Sequence, residues 1–180
     1  GSDSKGNITQ QVTLNVKEST SCPLDIKNVY GGGNQAEYAP TNASLTSPAV
    51  NIIKATIKEN VFGGGLGTTA LSVSHPTVHV GGTASGETVN VNVSVYGGGS
   101  AAPVEGSTSV TVDGNKESVT VHSHVFGGGL GATAKIKKHN GSQGNTDVKI
   151  IGEKALLEAN VYGGGNAGDV EGNTYVQIGE

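Results

Sequence analysis

The chain has 180 residues, of which 30 are glycine and 34% are apolar, a composition ordinary for a globular protein that buries a core without disulfides. Its net charge is −4 and its basic residues are all lysine, which argues against nucleic acid as a partner because phosphate and guanine contacts favour basic, arginine-bearing surfaces. The single cysteine, Cys22, excludes an intrachain disulfide and multi-cysteine zinc patterns, and no apolar stretch is long enough to span a membrane.

The start of the chain is interpreted as a leader. Residues 1–24 are assigned to this leader and to a first strand, and residues 25–180 to a single domain of repeats. No charged-then-apolar signal sequence is present, and Gly1-Ser2 resembles what a cleavage leaves behind. We therefore expect a targeting segment to have been removed ahead of Gly1.

A V-x-[VIL] string recurs along the chain and predicts short strands. Its alternation of apolar and polar residues, rich in β-branched types, is typical of half-buried strands. Identical spacing to the next apolar residue predicts that the first valine of each copy faces inward in one column. The six copies begin at Val12, Val50, Val78, Val110, Val148 and Val176.

A second string, V-[YF]-G-G-G, alternates with the first. Its aromatic positions are 30 to 36 residues apart and alternate between tyrosine and phenylalanine. The segment before each triplet also alternates, as in Val91, Val93 and Val95, and predicts a second strand, with room for a third after the triplet. Ala155–Ala159 has helical propensity but fills the same slot, so it too is predicted as strand. The five copies are 29–33, 61–65, 95–99, 125–129 and 161–165.

A repeat of about 32 residues, with short strands, one recurrent glycine corner and no helix, predicts an all-β fold. We expect a right-handed parallel β-helix, or β-solenoid, of five to six coils, in which neighbouring strands lie about 4.8 Å apart. A β-sandwich or a propeller would also suit strands at this spacing. Five near-identical corners argue against the sandwich, whose corners each have their own geometry.

The glycine triplets predict tight corners that stack on one another. Glycine is favoured at positive φ or where two backbones approach closely. Positive φ would make Gly64→Val or Gly128→Val strongly destabilising. A phosphate site is not expected, because no G-x-x-x-x-G-K-[ST] string or following helix accompanies the triplets.

The aromatic residues before the triplets are the candidate ligand-binding residues. If they face outward, their rings form a platform on which sugars stack; alternatively they seal a corner, each ring pair adding about 0.5–1.5 kcal/mol. A polar residue two positions earlier is predicted to bond turn backbone groups. The aromatic set is Tyr30, Phe62, Tyr96, Phe126 and Tyr162, and the polar set is Asn28, Asn60, Ser94, His124 and Asn160.

No metal site or cofactor is predicted. His122 and His124 lie at i and i+2, the spacing of two ligands on one strand face, but no third ligand is identifiable. His75 and His139 are equivalent residues of the two phenylalanine copies and are interpreted as a repeat-specific loop position. The G-G-x-G-x-D-x-U-x motif of calcium-binding β-rolls is missing from the sequence.

No catalytic residue is predicted either, although parallel β-helices include polysaccharide lyases and hydrolases. Glycosidases need two carboxylates in distinct environments, and the nearest candidates are Asp169 and Glu171, with Glu105 equivalent to Glu171. A catalytic site should stand out as an exception to the repeat. These acids largely follow it.

The strings NVYGGGN, HVFGGGLGATA and NVYGGGNAGDVEGNTYVQIG resemble the Gly-triplet repeats of large adhesin-like surface proteins of gut Bacteroidetes. The resemblance covers about residues 25–180 and implies an exported parallel β-helix at the cell surface, associated with the outer membrane, or outside the cell. The first coil departs from the pattern, with Tyr38-Ala39-Pro40 at the V-E-G step.

These observations favour a non-enzymatic, adhesin-like solenoid that presents a repetitive face to an extracellular glycan or a surface protein. The alternative is a carbohydrate-active β-helix enzyme, or a fragment of one. A deep, non-repeating cleft with several carboxylates would favour the enzyme, whereas a flat stacked surface would favour the binder. The sequence leaves the ligand and the oligomeric state open.

Overall fold

The computed structural model describes residues 6–19, 21–42 and 46–180, which form β-strands and no helix. The strands are β1 (Thr13–Lys17), β2 (Val29–Tyr30), β3 (Ala49–Ile57), β4 (Val61–Phe62), β5 (Thr77–Val80), β6 (Val89–Val91), β7 (Val95–Tyr96), β8 (Val104–Glu105), β9 (Thr108–Asp113), β10 (Val119–Val121), β11 (Val125–Phe126), β12 (Ile136–Lys137), β13 (Thr146–Ile151), β14 (Ala155–Leu157), β15 (Val161–Tyr162) and β16 (Thr174–Ile178). The described residues thus hold no helix that could cross a membrane.

All paired strands run parallel, which confirms the predicted β-solenoid of about five coils. The first face consists of β1, the start of β3, β5, β9, β13 and β16, and the second face of the end of β3, β6, β10 and β14. The third face consists of β2, β4, β7, β11 and β15. The narrow fourth face, the strand expected after each triplet, contains β8 and β12 and is extended by single bridges.

β3 bends from the first face into the second. Val16 pairs with Ile52 but Lys17 pairs with Lys54, so Ile53 is an extra residue, a β-bulge. Because side chains alternate along a strand, one extra residue reverses the inward set. Ile52 and Ala55 are consequently both buried, and the core continues around the corner.

The inward column of the first face is confirmed except at its first member. Val50 pairs with Leu14, so Leu14 occupies the position expected for Val12. When the pairing register shifts by two residues, the same side chains still point inward. Alternation of apolar and polar residues alone could therefore not fix this register. Val176 is 46% exposed because β16 pairs on one edge only within the described residues, whereas Val148 is fully buried.

The prediction of one alternating strand before each triplet is wrong. Val89–Val91 and Val95–Tyr96 are separate strands on the second and third faces, and Val93 is exposed at the corner between them. Ala155 pairs with Val119 in β10, so the segment with helical propensity is strand as predicted.

The positive φ expected in the triplets is also wrong, since Gly64 and Gly128 are not among the positive-φ residues. The close backbone approach is confirmed instead. The Gly64 N–H donates to the Gly98 carbonyl at 3.1 Å, and the Gly98 N–H donates to Gly128 in the same way. Glycine is therefore required because the backbone of the following coil lies so close, and not because of its own dihedral angles.

The first coil stacks like the others despite Tyr38-Ala39-Pro40. Tyr38 is fully buried, bridges Ile8 and Ser72 in the fourth face, and its hydroxyl lies 2.5 Å from Ser47 Oγ. Of the predicted leader, residues 1–5 and 20 lie outside the described residues, including Gly1-Ser2.

Candidate binding sites on the solenoid

The polar ladder connects successive coils by side-chain to backbone hydrogen bonds. The Asn60 N–H donates to Asn28 Oδ1 at 3.0 Å, and the Ser94 N–H donates to Asn60 Oδ1 at 3.1 Å. The ladder continues through His124 to Asn160, whose N–H donates to His124 Nδ1 at 3.1 Å. The predicted role is confirmed for Asn28, Asn60, Ser94 and His124, each of which accepts a corner backbone N–H of the next coil, whereas the Asn160 side chain donates to the Tyr162 hydroxyl.

The five aromatic rings stack in one column along the third face. Centroid separations are 4.9 Å between Tyr30 and Phe62 and 4.8 Å between Phe126 and Tyr162, with interplanar angles of 3° and 9°. This spacing matches the distance between neighbouring strands, so coil stacking places the rings face to face.

The inner rings of this column form a second core. Phe62 is 1% exposed, Tyr96 5% and Phe126 4%, whereas Tyr162 at the end is 41% exposed. Burial raises the pKa of the Tyr30 and Tyr96 hydroxyls. An exposed ring, which a sugar platform requires, is therefore found mainly at Tyr162. Ligand binding by the other rings stays a prediction.

The outer side of the first face is the broadest regular surface. Strand pairing places its outward side chains in two columns that run across all six strands. One column is Thr13, Ala49, Thr77, Ser109, Asp147 and Tyr175, and the other is Asn15, Asn51, His79, Thr111, Lys149 and Gln177. The surface is predominantly polar and offers hydrogen-bonding groups every 4.8 Å or so along the rod.

The segment after Ile136 interrupts the repeat. Val104 pairs with Ile136 and Thr108 with Thr146, so a step of four residues in one coil becomes ten in the next. The additional residues form a hairpin closed by an antiparallel bridge between His139 and Ser142. Asn140 at its tip has a φ of 39°, a left-handed conformation that asparagine tolerates.

This hairpin borders a cavity of about 450 Å³, named here the insertion cleft. Its lining residues are His75, Glu105, Ser107, His139, Asn140, Gly141 and Ser142. The equivalent residues His75 and His139 are thus brought to one site, beside the candidate carboxylate Glu105. Cavities of this size are within the range of small-molecule sites.

Hydrogen bonds fix the groups around the cleft. His75 Nδ1 accepts the Ser107 N–H at 2.9 Å, and His139 Nδ1 lies 3.0 Å from Glu105 Oε2. Burial lowers the pKa of His75, so its imidazole is neutral at pH 7. The Ser107 and Ser142 hydroxyls lie 3.3 Å apart.

The other sequence candidates do not converge. His122 Nδ1 lies 2.9 Å from Glu158 Oε2, whereas His124 belongs to the polar ladder. Among the described residues, no group of three or more His, Cys, Asp or Glu side chains is arranged to hold a metal ion.

The remaining carboxylates are held by lysines of the preceding coil. Asp169 accepts from Lys135 Nζ at 2.7 Å, which raises the pKa of Lys135. Glu171 Oε2 accepts the Lys138 backbone N–H at 3.0 Å. These contacts connect successive coils.

Sequence reasoning missed the cleft itself and its residues Ser107, Asn140 and Ser142. The signal was the coil length, since the residues between Ile136 and Thr146 exceed those of the neighbouring coils. A larger cavity, about 650 Å³, lies at the end of the rod beside Ile178 and Gly179. It is bounded by the last residues of the chain.

The chain matches no protein-family model, no curated protein and no solved structure.

Proposed function

We propose that this protein is a non-enzymatic, adhesin-like β-solenoid, related to the Gly-triplet surface proteins of gut Bacteroidetes, that is exported to the cell surface or beyond it. It presents a repetitive face to an extended partner, an extracellular glycan or a surface protein. One observation carries the proposal: the outward side chains of the first face lie in register across six parallel strands.

The other faces offer less to an extended partner. On the third face the ring column is mostly covered, and on the second face the strands are only three residues long after β3. The first face combines longer strands with amide, hydroxyl and imidazole groups, as at Asn51, His79 and Thr111. Such groups hydrogen-bond equally well to sugar hydroxyls and to protein backbone.

A carbohydrate-active enzyme is the second candidate, and the insertion cleft is the observation that favours it. The cleft lies at an insertion in the repeat and is lined by Glu105 and two histidines, of which His139 contacts the carboxylate. Incubation with a panel of polysaccharides tests this candidate. Release of new reducing ends or unsaturated products, lost in Glu105→Gln, would support it.

The binding proposal is tested on a glycan array and a panel of immobilised surface proteins. We expect binding that weakens in the double variant His79→Ala/Thr111→Ala, which removes two adjacent outward side chains of the first face. The matched control is Thr56→Ala/Thr120→Ala on the outward side of the second face. Equal binding by both double variants would contradict the proposed face.

Location is tested separately by protease treatment of intact producing cells. We expect the protein to be digested while a cytoplasmic marker stays intact. Protection of both would contradict the proposed export.

A further inference from the structure

We propose that the insertion cleft binds one neutral sugar residue, held between the His75 Nε2–H donor and the Glu105 Oε1 acceptor. This inference deepens the proposed function and rests on it in one respect, that the sugar belongs to an extracellular glycan. The cleft lies at an insertion in the repeat. It would therefore bind a single sugar, whereas the repetitive face would bind an extended partner.

The donor is defined by the hydrogen bond of the other ring nitrogen. His75 Nδ1 accepts the Ser107 N–H, so the proton of the neutral imidazole is on Nε2. Nε2 has no hydrogen-bond partner among the described residues, although His75 lines the cleft. It is a directed donor available to a ligand.

The acceptor is defined in the same way. Asn140 Nδ2 donates to His139 Nε2 at 2.8 Å, so the ring proton is on Nδ1, from which it is donated to Glu105 Oε2. Glu105 Oε1 makes no hydrogen bond within the described part of the chain. The Glu105 side chain is 28% exposed and is anchored through Oε2, so Oε1 is the carboxylate oxygen left for a ligand.

The charge of the cleft disfavours anions, and its hydrogen-bonding groups indicate a neutral polar ligand. Glu105 is the one carboxylate among the lining residues, and no lysine lines the cavity. Phosphorylated, sulfated and carboxylated ligands are disfavoured by this charge, because nothing in the lining neutralises theirs. A fixed donor, a charged acceptor and the hydroxyls of Ser107 and Ser142 instead complement the adjacent hydroxyls of a neutral sugar.

The position of the cleft connects it to the first face. Ser107 directly precedes β9, and Asn145, whose N–H donates to Ser107 Oγ at 3.1 Å, directly precedes β13. A sugar in the cleft therefore lies beside the outward columns of these two strands. A glycan whose end sugar occupies the cleft can continue along the first face.

The test uses the ¹⁵N-labelled chain and methyl glycosides of glucose, galactose, mannose and N-acetylglucosamine as probes. We expect one of them to shift the amide signals of Ser107, His139 and Gly141, with a Kd of about 1 mM, typical of a weakly held small ligand. Glucose 6-phosphate and a simple alkylamine serve as charged probes. Binding of a charged probe in preference to every neutral glycoside would overturn the inference.

Two variants locate the binding. Glu105→Ala should weaken binding of the responding glycoside at least about tenfold, the range of a charge-assisted hydrogen bond. Its matched control is Glu171→Ala, the equivalent carboxylate of the next tyrosine coil, outside the cleft. Unchanged affinity in Glu105→Ala, or no shift of the wild-type cleft amides with any glycoside, would overturn the inference.

The two proposals fail separately. If the cleft binds no glycoside but the array signal still depends on His79 and Thr111, the proposed function stands and the cleft inference falls. If the cleft binds a glycoside but the double variant His79→Ala/Thr111→Ala binds the array normally, the proposed face falls and the cleft remains.

Discussion

Gly64 lies so close to Gly99 of the following coil that a β-carbon on Gly64 would be 2.8 Å from the Gly99 backbone nitrogen. The same relationship holds between Gly98 and Gly129, at 2.9 Å, and between Gly128 and Gly165, at 2.7 Å. At the triplet the backbones of successive coils thus approach too closely for a side chain to fit between them.

The first prediction concerns this contact. Gly64→Ala should lower the free energy of unfolding by about 1–3 kcal/mol, the range of overpacking in a core that cannot relax. Gly164→Ala is the matched control, because a β-carbon there has nothing within 4 Å. Urea unfolding measures both, and equal effects would contradict the role assigned to the triplet.

The second prediction concerns the polar ladder. Asn60→Ala removes the acceptor of the Ser94 N–H, and Ser94 is only 2% exposed. An unsatisfied buried donor costs about 1–3 kcal/mol. Thermal unfolding should show this loss in Asn60→Ala and almost none in Thr56→Ala, whose side chain is exposed on the second face. A ladder variant as stable as the Thr56 control would show that water replaces the bond.

The third prediction separates the two roles of the aromatic column. Phe62→Ala should destabilise the protein by about 3–5 kcal/mol, since it empties a site that is 1% exposed. Tyr162→Ala should cost clearly less, because that ring is 41% exposed and stacks on one side only. Similar losses in chemical denaturation would contradict the description of a covered column with one open end.

The fourth prediction concerns acid stability. Lys17, the Thr83 hydroxyl and the Thr83 and Ala84 N–H groups lower the pKa of Glu87 from 4.5 to about 2. A depressed folded-state pKa adds stability that is fully present above about 4.5 and is lost as the pH falls toward 2.

Glu87→Gln should therefore be less stable than wild type at pH 7 and should lose less stability between pH 5 and pH 2, so that the two curves approach each other. Glu153→Gln, an exposed carboxylate, provides the control. Parallel curves for wild type and Glu87→Gln would contradict the assignment.

Much of the fold could be predicted because the copies of the repeat can be aligned with one another within the one sequence. Five copies of one corner indicate the same local geometry five times, which favours a solenoid over a sandwich. The position of Ala155–Ala159 within the repeat likewise predicted a strand there, despite its helical propensity. Local alternation decided less. It could not distinguish Val12 from Leu14 as the partner of Val50, because both lie on the same side of the strand.

The candidate site was harder to predict because its residues come from different coils. Glu105 and His139 were each visible in the sequence, but the pattern does not show that the longer segment after Ile136 folds as a hairpin that brings His139 to Glu105. The burial of the rings likewise depends on what covers the third face. Val61 and Phe62 alternate in direction as any strand residues do, yet both are buried.

The most direct test of the proposed function is the dependence of affinity on partner length. An oligosaccharide series built from the strongest glycan hit is titrated against wild type and against His79→Ala/Thr111→Ala. If a repetitive face binds an extended partner, affinity should rise with each added unit until the chain spans the six strands, roughly 24 Å, and the double variant should lose only part of it. An affinity that is the same for the shortest and the longest member, or a double variant that binds the whole series like wild type, would contradict the account.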